Sequence, residues 1–442
     1  MPSTIGMISL GCPKNQVDGE RMLADLARAG FNISNELESC DAVIINTCGF
    51  IDAAKRESID NILEMAQYKE AGMIKKIIVT GCMAERYREE VIKELPEIDA
   101  LVGIGKNSDI VNIVKQALAD EVVVAVSNKE DLPLDGERIL TTPEYWAYLK
   151  IGEGCSNFCT YCAIPKIRGR FRSRTIESCV EEARALVESG VKEIILVAQD
   201  TTRYGEDLYG EPKLAELLRQ LCKIEDLQWI RMLYCYPDRL NDEVIDVIAK
   251  EDKICKYLDL PLQHANGDIL KRMNRHGNRQ VLSDLIKKLR DRIPGICIRT
   301  TFITGFPGET DEQFEELAEF VKEMKFDRMG CFTYSPEENT PAATFENQID
   351  EDVKVHRGEL IMDAQYGIVI ECNKQLIGKK FKVLVDGIDE ETGLYIGRSY
   401  RETPEIDSAI SFTSERPLLP GEFVEVEITD FNDYDLIGSV VS

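Results

Sequence analysis

Cys155, Cys159 and Cys162 stand in the run Cys155-Ser156-Asn157-Phe158-Cys159-Thr160-Tyr161-Cys162, three thiols separated by three and then two residues. Thiolate is the usual protein ligand of iron–sulfur clusters. Three thiolates at this spacing can wrap one iron–sulfur cluster and leave one iron without a protein ligand. A zinc site needs a fourth sulfur or nitrogen nearby to close its tetrahedron. The chain's three histidines, His264, His276 and His356, all lie far along the sequence. A partly filled zinc knuckle is the competing reading. An aromatic, Tyr161, precedes the last cysteine, and Asn157 falls where the loop must turn.

A second set of thiols is dispersed along the N-terminal third. Short apolar runs at Ile5–Leu10, Ala42–Asn46, Lys76–Thr80 and Ala100–Ile104 alternate with helical patterns at Val17–Ala29, Ala53–Tyr68, Glu85–Leu95 and Ser108–Leu118. That alternation predicts an α/β layer with a parallel sheet. Cys12 follows the first run, Cys48 the second and Cys82 the third. All three therefore fall at carboxyl ends of strands, where an open parallel sheet gathers its ligands. Gly11, Gly49 and Gly81 sit beside them and would let backbone approach a bulky inorganic group. A lone cysteine is more often a small buried hydrophobe, and Cys40, ahead of a strand, is read that way. Three thiols in equivalent positions point instead to a second three-thiolate cluster.

The Cys-x-x-x-Cys-x-aromatic-Cys run is similar to the signature of radical S-adenosylmethionine (SAM) enzymes. The resemblance implies that SAM chelates the open iron and that an electron from the reduced cluster cleaves it to a 5′-deoxyadenosyl radical. Two three-thiolate sites in this order resemble the methylthiotransferases, over the whole chain. In that family the N-terminal cluster holds the sulfur that is methylated, and the central cluster activates the target carbon, which implies that the domains face a common cavity. The stretch Ser9-Leu10-Gly11-Cys12-Pro13-Lys14-Asn15 resembles the branch acting on an aspartate β-carbon of ribosomal protein S twelve. The tRNA-modifying branch carries a Gly-Cys-Gln-Met-Asn type of motif there. Methylthiolation of tRNA adenosine is the nearest rival, and a non-catalytic iron–sulfur sensor or carrier is the rival from another class. No catalytic side chain is indicated beyond the cluster ligands.

Val126–Pro143 is polar and aperiodic, with Pro133, Gly136 and Pro143, and reads as a linker. Beyond it, six apolar runs (Tyr145–Ile151, Glu193–Val197, Trp229–Tyr234, Tyr257–Leu262, Ile296–Ile303 and Arg328–Tyr334) alternate with helical segments. Six βα units are fewer than the eight of a closed barrel, so a partial, TIM-like (β/α)6 barrel with its ligand at the carboxyl rim is expected. At that rim, Gly305, Pro307 and Gly308 suit a tight turn against a flat ligand, and in the family this region lies near the adenosine of SAM. The alternative is an ordinary strand-to-helix turn, with Glu309 favouring the helix start. Gln199 is a candidate for the methionine part of SAM, Tyr161 is placed with the cofactor by its position in the signature, and Gln263 and His264 are candidates for the ribose or the substrate. The alternating Arg168, Arg170, Arg172 and Arg174 would bind an acidic group or RNA, or else line an exposed strand edge.

From about Asn373 the pattern turns to five short strands with glycine-bearing turns, a small β-barrel resembling the TRAM domain of the family. Residues 373–442 hold seven Lys and Arg against fourteen Asp and Glu, a net charge of −7. The whole chain of 442 residues carries −26. An acidic module meets a phosphate backbone poorly and suits a basic ribosomal protein. Fourteen cysteines with no signal-peptide pattern fit reduced thiols in the cytoplasm, and no window is apolar enough for a membrane span. The expected division is 1–125 for the first cluster, 126–143 for the linker, 144–372 for the radical SAM core and 373–442 for the TRAM-like barrel. The implied cofactors are two 4Fe–4S clusters and SAM. The implied partners are the ribosomal protein, within the small subunit or free, and a low-potential electron donor such as flavodoxin or ferredoxin.

Overall fold

In the computed structural model, which describes residues 2–441, six parallel strands form the N-terminal sheet. Their spatial order is Asn32–Ile33, Thr4–Ser9, Ala42–Thr47, Lys76–Gly81, Ala100–Val102 and Val123–Ala125. The sheet is buried on both faces, so its central strands read as continuous apolar runs. Ile44 and Ile78 pack under helices Pro13–Arg28 and Ile110–Leu118. Val43, Ile45 and Val79 point the other way, against Asp52–Glu70. The expected helix Glu85–Leu95 breaks at Tyr87, whose ring enters that second core, leaving helices Cys82–Arg86 and Arg88–Glu94.

The central domain lays six parallel strands side by side in chain order: Trp146–Lys150, Glu193–Val197, Trp229–Met232, Tyr257–Asp259, Cys297–Thr304 and Arg328–Thr333. A single parallel bridge, Ile230 to Ile254, joins the two halves. Helices Ile176–Glu188, Leu214–Cys222, Asp242–Lys250, Arg279–Arg292 and Asp311–Met324 cover the outside with one apolar core. The result is the expected partial barrel. Among the described residues no helix is long and apolar enough to cross a membrane.

The 24-residue helix Glu351–Lys374 leads into a closed barrel of five strands, Lys380–Ile388, Tyr395–Arg398, Ile410–Thr413, Phe423–Asn432 and Asp435–Val440. This barrel docks at the amino ends of the central strands. Its segment Ser399–Asp407 seals that end of the partial barrel. There Glu193 pairs with Arg231 at 2.8 Å and with Arg398 at 2.7 Å, and Arg328 donates to Glu402 at 3.0 Å. The Tyr257 hydroxyl donates to Asp407 at 2.8 Å, and Trp229 meets Phe423 edge-on at 4.8 Å. The cysteine-bearing loops lie at the opposite, carboxyl ends. The expectation that all three domains face one cavity is thus corrected: the third closes the far end, through buried charges.

Candidate functional site

The strands that precede Cys12, Cys48 and Cys82 are immediate neighbours in the sheet, so the three thiols emerge side by side. Glycines let the loops close on one another. A Cβ on Gly11 would lie 2.8 Å from Cys48 Cβ, and one on Gly49 would lie 2.7 Å from Met83 Cα. Gly81, at φ +92°, presses against the Thr47 backbone, where a Cβ would come within 2.7 Å of the nitrogen. At each of these glycines a side chain would meet the adjoining loop. Asn15 ties the set together, donating from Nδ2 to the Leu10 carbonyl at 2.8 Å and the Asn46 carbonyl at 3.2 Å.

Burial works against ionisation of these thiols, and cations oppose it. Burial pushes Cys82 up to about 12 despite Arg168. At Cys12 burial is outweighed by Lys14 and Arg168, which hold the thiol below its ordinary value. Arg168 comes from the central domain and is fully buried. Its Nε and Nη2 each lie 3.4 Å from Cys82 Sγ, and Nη2 also donates to Asn15 Oδ1 at 2.9 Å. Its Nη1 meets Asp18 at 2.6 Å and Glu153 at 3.1 Å, while Lys150 pairs with the same two carboxylates. Two cations and two anions thus cancel at the domain interface. Burial would raise Glu153, but Arg168 and Lys150 hold it far below the usual carboxylate range.

The second triad lies on the loop after Glu153. Asn157 pins it, donating to Asp200 at 2.8 Å and accepting from Arg203 at 2.7 Å. Phe158 turns the chain at φ +51°, and Asn274 Nδ2 donates to the Asn157 carbonyl at 3.0 Å. Thr160 N donates to the Met273 carbonyl at 3.0 Å. Burial raises Cys155 to about 11, with Asp200 and Cys159 adding to the shift, and raises Cys162 further, with Cys159 again a contributor. Arg275 Nη1 reaches Cys159 Sγ at 4.0 Å while its guanidinium lies over the Tyr236 ring at 4.1 Å.

A cavity of about 670 Å³ opens beside the loops that carry Cys48 and Cys162. Its wall includes Phe50 and Asp52 from the loop after Cys48, Tyr161 from the second triad, and Tyr234, Gln263 and Arg299 from the barrel rim. Tyr234 (φ +61°) and Gln263 (φ +72°) both hold left-handed backbone there, a conformation that side chains adopt at a cost and that gathers at functional sites.

The other rim residues are placed differently. A Cβ on Gly305 would lie 2.8 Å from Lys354 Cβ, and one on Gly308 would lie 2.9 Å from the Arg272 guanidinium. Both glycines therefore close on protein side chains, while Ile303 of the preceding strand reaches the cavity. His264 turns away, its Nδ1 accepting from Asn266 N at 3.0 Å. Gln199 Nε2 donates to Glu153 at 2.7 Å. Of the arginine run, Arg168 and Arg174 are buried in ion pairs and Arg172 holds the linker carbonyl of Glu130 at 2.7 Å. Only Arg170 is exposed. Sequence reasoning missed the Asp18–Lys150–Glu153–Arg168 network. Its one signal was a lysine and a glutamate at the end of an otherwise apolar strand, where lone charges are rarely tolerated.

The donor sets fit iron–sulfur clusters. All fourteen cysteines are free thiols, and among the described residues no three Cys, His, Asp or Glu side chains are drawn tightly enough to hold a single metal ion. The Gln199 Oε1 and the Tyr334 hydroxyl, the latter on the cavity wall, are buried with no hydrogen-bond partner, as a pocket for a polar cofactor requires.

Residues 149–321 match the Radical SAM superfamily, 4–103 the Uncharacterized protein family UPF0004, and 377–441 the TRAM domain. Radical SAM domains work with a 4Fe–4S cluster and SAM. Ribosomal protein uS12 methylthiotransferase RimO of Desulforamulus reducens is 53% identical over 445 residues, covering 100% of both chains. That of Lachnoclostridium phytofermentans is 50% identical over 436 residues, 98% of this chain and 99% of the relative. Among solved structures, the radical SAM methyltransferase TsrM from Kitasatospora setae, with cobalamin and a 4Fe-4S cluster bound, aligns at TM-score 0.59 over 77% of each chain. At 14% identity that likeness concerns the fold alone. With half of its residues shared end to end with these relatives, the chain belongs to the RimO family of radical SAM methylthiotransferases.

Proposed function

We propose that this enzyme adds a methylthio group to the β-carbon of an aspartate in ribosomal protein uS12. Cys155, Cys159 and Cys162 hold one 4Fe–4S cluster, and Cys12, Cys48 and Cys82 hold a second. The observation that carries the reading is the cavity of about 670 Å³ whose wall is built by residues flanking both triads. Bound there, the clusters and SAM supply chemistry able to break an unactivated C–H bond and deliver sulfur. The chain's residues position and shield that chemistry. Gln199 offers its free Oε1 to SAM while Glu153 fixes its orientation, and Tyr161 shapes the wall beside the Cys162 loop. Gly305, Pro307 and Gly308 act on SAM through the turn that sets Ile303, since both glycines lean on Lys354 and Arg272. The acidic C-terminal barrel, at −7, suits a basic ribosomal protein, free or in the small subunit, better than RNA. A flavodoxin or ferredoxin supplies the electron, and the setting is the cytoplasm.

The test uses anaerobically reconstituted enzyme, reductant and SAM with uS12 or with tRNA. A thiomethyl mass gain on a uS12 aspartate is expected. A gain on tRNA alone would sink the reading. Replacing Cys155, Cys159 and Cys162 together by Ala leaves about half the iron, as two equal clusters require.

A further inference from the structure

The charged groups around the cavity are nearly all committed to one another. Arg299 pairs with Asp259 at 2.7 Å, Arg86 with Glu337 at 3.1 Å and Lys354 with Glu351 at 3.0 Å. Arg275 spends Nη2 on the Pro261 carbonyl at 2.6 Å. Asp52, Asp259, Glu337 and Glu351 all belong to the wall. A carboxylate entering this space meets negative charge unless an uncommitted cation receives it.

Lys14 is that cation. It sits two residues after Cys12 in the first turn of helix Pro13–Arg28 and is only 5% exposed. Its ammonium lies 3.2 Å from the centroid of the Tyr234 ring, and Tyr234 lines the cavity. Among the described residues it forms no ion pair with a carboxylate, and its ammonium is spent only on the Tyr234 ring beside the Cys12 loop. An ammonium on a flexible stem with no carboxylate paired to it suits capture of an incoming acid.

We infer that Lys14 is the specificity-determining residue that recognises the target through its carboxylate. The inference rests on the proposed function above. An aspartate's β-carbon is bonded directly to its carboxyl carbon, so a β-carbon brought to the Tyr234 side of the cavity carries its carboxylate to within a bond length of the same place. A neutral nucleobase offers no such partner.

The experiment measures affinity of reconstituted wild-type, Lys14→Met and Lys14→Arg enzymes for uS12 and for uS12 whose modified aspartate, located by its thiomethyl mass, is replaced by Asn. Wild type binds the Asp form about tenfold or more tightly, as one buried charge-assisted hydrogen bond provides. Lys14→Met binds both forms alike, and Lys14→Arg keeps most of the preference. An unchanged preference in Lys14→Met overturns the inference alone. So does weakened SAM affinity with the preference intact, which would assign Lys14 to the cofactor's carboxylate, or lost iron with the preference intact, which would make it a countercharge to Cys12. If no uS12 aspartate gains the mass with wild type, the proposed function falls and the inference with it.

Discussion

Replacing Arg168 by Met removes a buried charged side chain that joins the first triad to the central domain. Its guanidinium serves Cys82, Asn15, Asp18 and Glu153 at once, at distances between 2.6 and 3.4 Å. Without it, two buried carboxylates share the single charge of Lys150, leaving a net negative charge at the interface. Breaking one side of a buried pair costs about 3–5 kcal/mol. For a domain of this size roughly 2–4 °C accompanies each kcal/mol, so the melting transition of the thiol form should fall by about 6–20 °C. Arg170, two residues on, is exposed, and its replacement by Ala should cost less than about 0.5 kcal/mol. Circular dichroism melts of the two variants beside wild type check the contrast. Equal melts for Arg168→Met and wild type would refute the claim that this network holds the domains in register, as would an equal loss in Arg170→Ala.

Gly81→Ala should destabilise by about 2–5 kcal/mol, because its φ +92°, ψ −160° backbone is essentially restricted to glycine and the new Cβ would overlap Thr47. Gly30→Ala, at φ +91° with nothing within 4 Å, isolates the backbone share at about 1–2 kcal/mol, so equal losses would argue against close packing of the cysteine loops. Docking of the C-terminal barrel should weaken in acid. Burial would raise Glu193, but Arg398 and Arg231 hold it below the ordinary carboxylate value, so its contribution is complete above the unfolded value of about 4.3 and is lost as pH falls through the lower folded value. Tryptophan fluorescence reports the event through Trp229 against Phe423, and Glu193→Gln, already weakened at neutral pH, should flatten the acid transition; an unchanged midpoint would exclude Glu193 as its source.

Strands with both faces covered announce themselves, which is why Ala42–Thr47 and Lys76–Gly81 were legible to within a residue. Two edge strands, Asn32–Ile33 and Val123–Ala125, were not, being short, partly exposed and without a clear period. The cysteine positions were legible because thiols at equivalent strand ends form a pattern. The partners of those thiols left none: Arg168 meets Asp18 across 150 residues, and no local spacing records a contact between domains. The alternating arginines misled for the same reason, since alternation fits a solvated edge as well as two buried ion pairs. Gly305 and Gly308 declared their left-handed backbone but not what would lie against it. Nothing in the sequence of Ser399–Asp407 marks its acidic residues as interior, although Glu402 and Thr403 are fully buried.

Both domain interfaces carry buried charge networks beside their apolar contacts, and those networks bear on the chemistry. Replacing such networks by packed hydrophobes is often neutral or stabilising, so stability alone does not account for them. An apolar interface tolerates a slip of an ångström at little cost. A guanidinium that must reach Cys82, Asn15, Asp18 and Glu153 together has one position. Reactions between separately held groups lose about a hundredfold in rate for a misplacement of about 1 Å, and here the groups to be aligned sit on two domains. At the far end, the ring of Glu193, Arg231, Arg398 and Glu402 with Arg328 fixes the amino ends of the six strands whose carboxyl ends shape the cavity. The directional bonds therefore act where register matters, on either side of the site, and the apolar cores supply the bulk of the folding energy around them.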